Sequence, residues 1–524
     1  MADQYIEKIH CKNFRGFRER KIEDLNSGLN IFIGDNETGK SSILLAIELV
    51  LSGNPNRVDA LGLDRLLNRQ AVEEFLAKEE REFADLPEME VDLYLGGCDK
   101  EEFDGQSNME QTQGFGVFLR CRPRDDLYEV IADLVSGDDP TFPFEYYMVE
   151  IKGFSGRSIH AYNKPLRHLL IDNTKISNEH ASRSYVQKMY GAHAKDDEKQ
   201  RLKYQYRQTK DGFVRENFDE LNKRVDGDYA FSVKSGPKAN LETDLTIEAR
   251  GVDIENMGMG QQCFIRTEFA LSKQTHIDVV LLEEPENHLS HTRMKELVRV
   301  IEGASDSQVF VATHSSLICS RLDLRKAVFF GDPASDPIKL EGLSEETANF
   351  FMKAPNSLVL EFALTRKCLL VEGNAEYMLM ESMYETVVGQ ELFGSEVSVI
   401  SVGGLSFPRF LEIAQLLGIK TAVVTDNDKD QQRKCVDRYA GFAEFENIRI
   451  FYDADDGRWT FEVCVYRDNV EKCEELFGEK RKTLTVEEYM LENKAEVAYQ
   501  LASNVGKELV APEYVKDAIR WLNN

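Results

Sequence analysis

Residues 34–41 read Gly-Asp-Asn-Glu-Thr-Gly-Lys-Ser, directly after the apolar run 29–33 and just ahead of a stretch, 42–51, with helical apolar spacing. Glycines at 34 and 39 let successive backbone N–H groups turn toward one anion. Lys40 adds a point charge for the outer phosphates, and the Ser41 hydroxyl suits a magnesium ion. Strand, loop and helix in that order are the context such a loop requires. Gly34, Asn36, Gly39, Lys40, Ser41 and Ser42 are therefore the expected contacts of a nucleoside triphosphate, ATP. Far downstream, residues 368–371 lead into Glu372 with Glu376 four positions on, and residues 421–425 lead into Asp426 and Asp428. Carboxylates at the ends of parallel strands gather on one rim. Glu376 shares a helix face with the approach of Glu372. Four acids on one rim repel unless cations lie among them, so Mg²⁺ or Mn²⁺ is the expected partner. A pair of such ions can activate water on one side of a phosphodiester and stabilise the leaving oxygen on the other.

A further acid pair belongs with the phosphate loop. Glu283 and Glu284 follow the apolar run 279–282, and His314 stands just beyond the buried-type run 308–312. Glu283 fits a metal-holding role, Glu284 a water-activating one, and His314 a reader of the γ-phosphate. An exposed helix start would also favour acids through the dipole, but Pro285 and the second strand set this stretch apart. Glu286, His288 and His291 supply no third ligand at zinc spacing.

The elements that must position these residues alternate. Strand patterns are predicted near 5–14, 29–33, 88–95, 115–121, 279–282 and 308–312, with further strand signals at 230–233 and 245–247. A helix is predicted over 290–302. Residues 157–224 are richer in charge, with helical spacing in parts, which suggests an inserted helical or partly extended subdomain. Beyond 364, strands at 368–371, 397–401, 421–425 and 448–451 alternate with helical patterns, the signature of a parallel sheet covered by helices. The expected division is 1–156 and 225–364 for one nucleotide-binding α/β module, 157–224 for its insert, and 365–524 for a second α/β module.

The chain has 524 residues, enough for two to four domains. Its nine cysteines are scattered without a C-x-x-C pair, which fits a reducing cytoplasm better than disulfides or structural zinc. No basic, apolar leader opens the sequence, and the run 43–51 is too short to span a bilayer. A cytoplasmic protein without membrane attachment is expected. The net charge of −28 opposes broad attraction to nucleic acid, so any DNA contact must rest on a local groove or on metal.

The loop at 34–41, the acids at 283–284 and His314 resemble the ABC-type ATPases of DNA repair and chromosome maintenance. Those proteins join two heads around ATP and use a signature motif in trans. Residues 256–262 are the candidate, with its glycines and glutamine but without the usual serine. Glu283 also replaces the usual aspartate, and Gln70 is the candidate for the glutamine of the Q-loop. The E-G-x-x-E and D-x-D sets resemble the Toprim fold of topoisomerases, primases and some nucleases. An ATPase followed by Toprim resembles the overcoming-lysogenization-defect (OLD) family, supported by Gly403-Gly404, residues 460–462, 493–498 and 512–519. The resemblance implies an ABC-type P-loop head with an inserted helical dimerisation subdomain, followed by a Rossmann-like Toprim sheet. It implies a further metal ligand in a late Toprim strand, Glu462, and a catalytic lysine, for which Lys494 is chosen with Lys507 as the alternative. The implied activity is a two-metal DNA endonuclease or nickase in anti-phage defence. It would work as a homodimer or higher oligomer through the ATPase module, alone or with an accessory helicase or reverse transcriptase. The alternative is an ATP-gated scaffold with a regulatory or inactive Toprim site. A topoisomerase or primase would need a strand-passage domain that the sequence does not show.

Overall fold

The computed structural model describes residues 3–137, 141–159, 163–175, 178–224, 229–234, 241–272, 276–304, 306–332, 335–354, 358–404, 406–478 and 484–524. The chain forms two compact units, Met1–His314 with Val328–Pro337, and Ser315–Ala327 with Ile338–Asn524.

The first unit has two sheets. β1 (Tyr5–Phe14), β2 (Phe17–Ile22), β4 (Met89–Gly96), β5 (Gly114–Pro123) and β6 (Tyr147–Gly153) form an antiparallel sheet in the order β2-β1-β4-β5-β6. The other sheet holds β3 (Leu29–Gly34), β7 (His168–Asp172), β8 (Val279–Glu283), β9 (Gln308–Thr313) and β10 (Ala327–Phe330), in the order β10-β3-β9-β8-β7. The pairs β3–β9, β9–β8 and β8–β7 are parallel, so their carboxyl ends share one rim. Helix α1 (Lys40–Ser52) lies against both sheets. Ile43, Leu44, Ile47, Val50 and Leu51 are buried around its circumference, the pattern of a helix with no solvent face.

The helical insert starts later than the sequence suggests. β7 falls within 157–224, yet it is the strand next to β8, and regular helix begins with α2 (Glu179–His193) and α3 (Asp196–Asn217). The apolar residues Leu169 and Ile171 had been masked by the charged text around them. Residues 230–233 and 245–247 form no strand. Phe231 is exposed, so its run has no sheet to pack on. α4 (Met259–Ala270) and α5 (His291–Glu302) complete the unit's long helices among the described residues.

In the second unit, β11 (Lys367–Val371), β12 (Val397–Ser401), β13 (Lys420–Val424) and β14 (Ile448–Phe451) form a parallel sheet in the order β12-β11-β13-β14. Around it lie α6 (Asn374–Val388), α7 (Phe407–Leu417), α8 (Phe461–Asp468), α9 (Lys494–Asn504) and α10 (Glu513–Asn523). The expected module boundary at 364 falls inside this unit. Phe351 and Phe362 meet Phe410 of α7 edge-on, with ring centroids 5.2 and 5.3 Å apart, and this aromatic cluster ties residues 345–353 and 359–364 to the second unit's sheet side. No helix among the described residues is long and apolar enough to cross a membrane.

Candidate functional site

The phosphate loop closes over glycine because nothing larger fits. A side chain at Gly39, where φ is +100°, would enter the Phe17 ring, and one at Gly34 would meet the Phe330 carbonyl. Lys40 is buried, and its ammonium donates to the carbonyls of Gly34 at 2.8 Å and Asp35 at 2.7 Å. The Thr38 hydroxyl donates to the Asp35 carbonyl at 2.8 Å and holds the loop's bend. Asn36 lies within the loop, while Ser41 and Ser42 open α1.

Parallel pairing sets Glu283 at the end of β8 beside Asp172 of β7 and Ala312 of β9. Burial raises the proton affinity of Glu283, and a hydrogen bond from the Ser41 hydroxyl opposes that rise. Ser41 and Glu283 thus form the oxygen donor pair that could hold the magnesium ion of a nucleotide. Glu284 follows with φ of +47°, a left-handed conformation uncommon for a side chain of this size. Burial, then the charge of Glu286, push its carboxyl up to about 8. His314 Nδ1 lies 2.5 Å from Glu284 Oε2 and 3.9 Å from Glu286 Oε1. The Thr313 hydroxyl donates to Glu286 Oε1 at 2.5 Å. Glu284, Glu286 and His314 bring their donor atoms within 4.8 Å of one another.

Two residues here escaped the sequence reading. Glu286 fixes the end of β9, and Asp172, paired with Lys175 at 2.7 Å, flanks Glu283. Asp172 could have been found only by recognising β7. Gln70 sits on the exposed face of a helix that buries Ala71 and Phe75, and donates to Glu74 at 2.8 Å. In the candidate signature segment, Gly258 caps α4, and any side chain at Gly260 would meet the His288 carbonyl. That glycine lets the segment approach the loop after Glu283-Glu284.

In the second unit, Glu372 follows β11 and Asp426 follows β13, on neighbouring parallel strands. Glu376, in the first turn of α6, accepts the Gly373 N–H at 3.1 Å and is buried. Gly403 and Gly404 take positive φ, and the Gly404 N–H donates to the Glu372 carbonyl at 2.9 Å. Glu462 differs from expectation in setting: it lies on α8, one residue after Phe461, not on a strand. Thr460 caps that helix, and the Phe461 N–H donates to Asp426 Oδ1 at 2.8 Å, so the helix start is pinned to the acid rim.

The carboxyls of Glu372, Glu376 and Asp426 are all pushed up, by burial first and then by one another and Glu462 or Asp428; Glu376 reaches about 7. Lys494 Nζ lies 2.9 Å from Glu462 Oε2. Burial opposes the Lys494 charge, but Glu462, Asp426 and Glu376 outweigh it and hold the ammonium above its ordinary value. Lys507 instead pairs with Glu385 at the surface. Asp428, also left-handed at φ +47°, is exposed and pairs with Lys434 at 2.9 Å. Between the two aspartates, buried Asn427 donates to the Asp453 carbonyl at 2.8 Å and ties down the 453–458 loop. The sequence reading passed over it.

Divalent metal fits this donor set. Glu462 is 4% exposed, yet its Oε1 meets no hydrogen-bond donor among the described residues. A buried carboxylate oxygen without a partner, among acids that raise each other's proton affinity, is a place for a cation.

Residues 29–320, more than half the chain, match the family described as AAA domain, putative AbiEii toxin, Type IV TA system. Residues 364–428 match the overcoming lysogenization defect protein-like TOPRIM domain. The Old nuclease of Escherichia phage P2 is 25% identical over 175 residues, 31% of this chain and 30% of that protein. The chain therefore matches less than a third of that relative's length. Among solved structures, the C-terminal region of the Xanthomonas campestris pv. campestris OLD protein is 19% identical with a TM-score of 0.24, covering 30% of this chain and 92% of that one. The SMC head domain from Thermotoga maritima is 14% identical with a TM-score of 0.30, covering 65% of this chain and 99% of that one. With an AAA family match over residues 29–320 and an OLD-like Toprim match over residues 364–428, the chain belongs to that AAA-domain family and joins its ATPase domain to an OLD-like Toprim domain.

Proposed function

We propose that this protein is an ATP-binding, divalent-metal-dependent nuclease that hydrolyses DNA phosphodiester bonds at the Toprim rim. One observation carries the reading. Glu372, Glu376, Asp426 and Glu462 lie together as a half-buried to buried acid set faced by the Lys494 ammonium. Two bound Mg²⁺ or Mn²⁺ ions would activate the attacking water and stabilise the leaving oxygen. The chain's own residues do the rest. Asp426 is oriented by the Phe461 N–H, and Glu376 by the Gly373 N–H, so both present a fixed oxygen to a cation. Lys494 stands where negative charge would build on the phosphate in the transition state. Asp428 at the exposed edge completes the set, and Asn427 keeps both aspartates in place by anchoring the loop behind them.

In the ATPase unit, Lys40 and the loop amides would bind phosphate, Ser41 and Glu283 would hold a magnesium ion, and Glu284, steered by His314, would take the proton of the attacking water. ATP regulates access of DNA or the arrangement of the heads, since phosphodiester hydrolysis is itself downhill. The exposed apolar residues Leu202, Tyr204 and Phe213 on α3 support self-association through the insert. A cytoplasmic role in anti-phage defence, as a homodimer or higher oligomer, with or without an accessory helicase or reverse transcriptase, fits the same reading. The test is supercoiled plasmid incubated with the protein in Mg²⁺, Mn²⁺ or EDTA, with and without ATP. Nicked or linear product in metal alone is expected; cutting that persists in EDTA would refute the metal assignment.

A further inference from the structure

A cavity of about 570 Å³ lies in the ATPase unit between β7, α2 and the segment after α1. Four cationic side chains line it: Arg57, Lys175, Lys188 and Arg266. One wall carboxylate, Asp172, pairs with Lys175 at 2.7 Å. A second, Glu48, lies fully buried behind the wall, 2.7 Å from Arg57 and 3.7 Å from Lys188. A third, Glu255, acts on Arg266 and accepts from the Ser182 hydroxyl at 2.6 Å, so four cations face three carboxylates and a positive surplus remains. Arg266 shows where that surplus faces. It is 4% exposed, its Nη2 donates to the Ser182 hydroxyl at 2.9 Å, and its Nε meets no acceptor among the described residues. A buried guanidinium with an unmade hydrogen bond is costly unless an anion completes it. Burial, then Arg57 and Lys164, push Lys188 down to about 8 against the pull of Glu48, as expected where cations crowd. The rest of the wall mixes apolar side chains, among them Leu45, Leu169, Ile171 and Tyr185, with the polar Asn54, Asn56, Asn178 and Ser184.

We propose that this cavity is a second ligand site of the ATPase unit, separate from the phosphate loop, for a phosphorylated small molecule of nucleotide size. Arg57, Lys188 and Arg266 take the phosphate, and the leucines with Tyr185 take the flat, less polar remainder. The volume suits such a molecule and exceeds what a lone phosphate fills. Asp172 belongs both to the cavity wall and to the strand end beside Glu283, so an occupant reaches the ATPase centre through one ion pair.

The test uses the full chain carrying Lys40→Ala, which disables the phosphate loop, titrated calorimetrically with AMP, GMP, ADP-ribose and inorganic phosphate. At least one of the three nucleotides should bind saturably and more tightly than phosphate. Lys188→Gln and, independently, the cavity-filling Ser184→Trp should each weaken it by about tenfold or more, the loss of one charge-assisted contact or of the space itself. Circular dichroism confirms that each variant is folded, and either one suffices should the other fail to fold. The proposal is overturned if none of the three nucleotides binds, if both cavity variants bind as the parent does, or if phosphate alone binds as tightly as the nucleotides. Plasmid cutting plays no part in this readout, so the outcome stands apart from the nuclease reading.

Discussion

Glu376→Gln should make the metal-free protein more stable while removing its response to metal. The carboxyl of Glu376 is moved from 4.5 to about 7, by burial first and then by Glu462 and Glu372. A carboxyl raised in the folded state costs stability as pH climbs from its unfolded value through its folded value. The penalty is therefore absent near pH 4 and complete near pH 8. At about 1.4 kcal/mol per tenfold change in proton affinity, it amounts to about 3 kcal/mol. Glutamine carries no charge at any pH, and its amide oxygen can still accept the Gly373 N–H that the glutamate accepts at 3.1 Å. For a unit of this size, 1 kcal/mol moves the melting temperature by about 2–4 °C. The variant's Toprim unit should then melt about 6–12 °C higher than the parent's at pH 8 in EDTA, with little difference near pH 4.5. Differential scanning calorimetry at both pH values reads this directly. Adding Mn²⁺ should stabilise the parent and leave the variant nearly unmoved. A variant that melts lower at pH 8, or by the same margin at both pH values, would refute the picture of mutually repelling buried acids.

Lys494→Ala should slow plasmid cutting by about 10²–10³, the usual effect of losing one group that stabilises transition-state charge. Lys507→Ala, which removes only a surface pair with Glu385, should leave cutting unchanged; single-turnover rates on plasmid distinguish the two. Glu284→Gln should abolish ATP turnover while keeping ATP binding. In the parent, turnover should rise between pH 7 and 9, because the Glu284 carboxyl, held up to about 8, must lose its proton to act as a base. A flat ATPase pH profile in the parent would contradict this. Lys40→Ala should weaken ATP binding by about tenfold or more in equilibrium dialysis, since the loop loses its one buried ammonium.

Much of both sites could be read from the chain because strand ends and glycine loops leave strong local patterns. The run before Gly34 and the acids after 368–371 and 421–425 lie where β3, β11 and β13 end. Other features depend on pairing across long stretches of sequence, which no local pattern reveals. Asp172 matters because β7 pairs with β8, more than a hundred residues away, and its short apolar core is hidden in charged surroundings. Glu286 completes no zinc pattern and carries no other local signal in the sequence, yet folding brings it to Thr313. Glu462 was expected on a strand, but Thr460 is a strong helix cap and starts α8 there instead. Residues 230–233 have strand-like composition, but no neighbouring strand buries Phe231. Residues 345–353 and 359–364 follow the ATPase portion in sequence, yet the Phe410 cluster draws them to the second unit.

The most direct measurement compares the parent with Asp426→Ala on supercoiled plasmid in Mn²⁺, with ATP binding measured on the same preparations. The account predicts nicked or linear product from the parent, none from the variant, and equal ATP binding by both. Cutting by a folded Asp426→Ala protein at the parent's rate would contradict the assignment of catalysis to the Toprim acids.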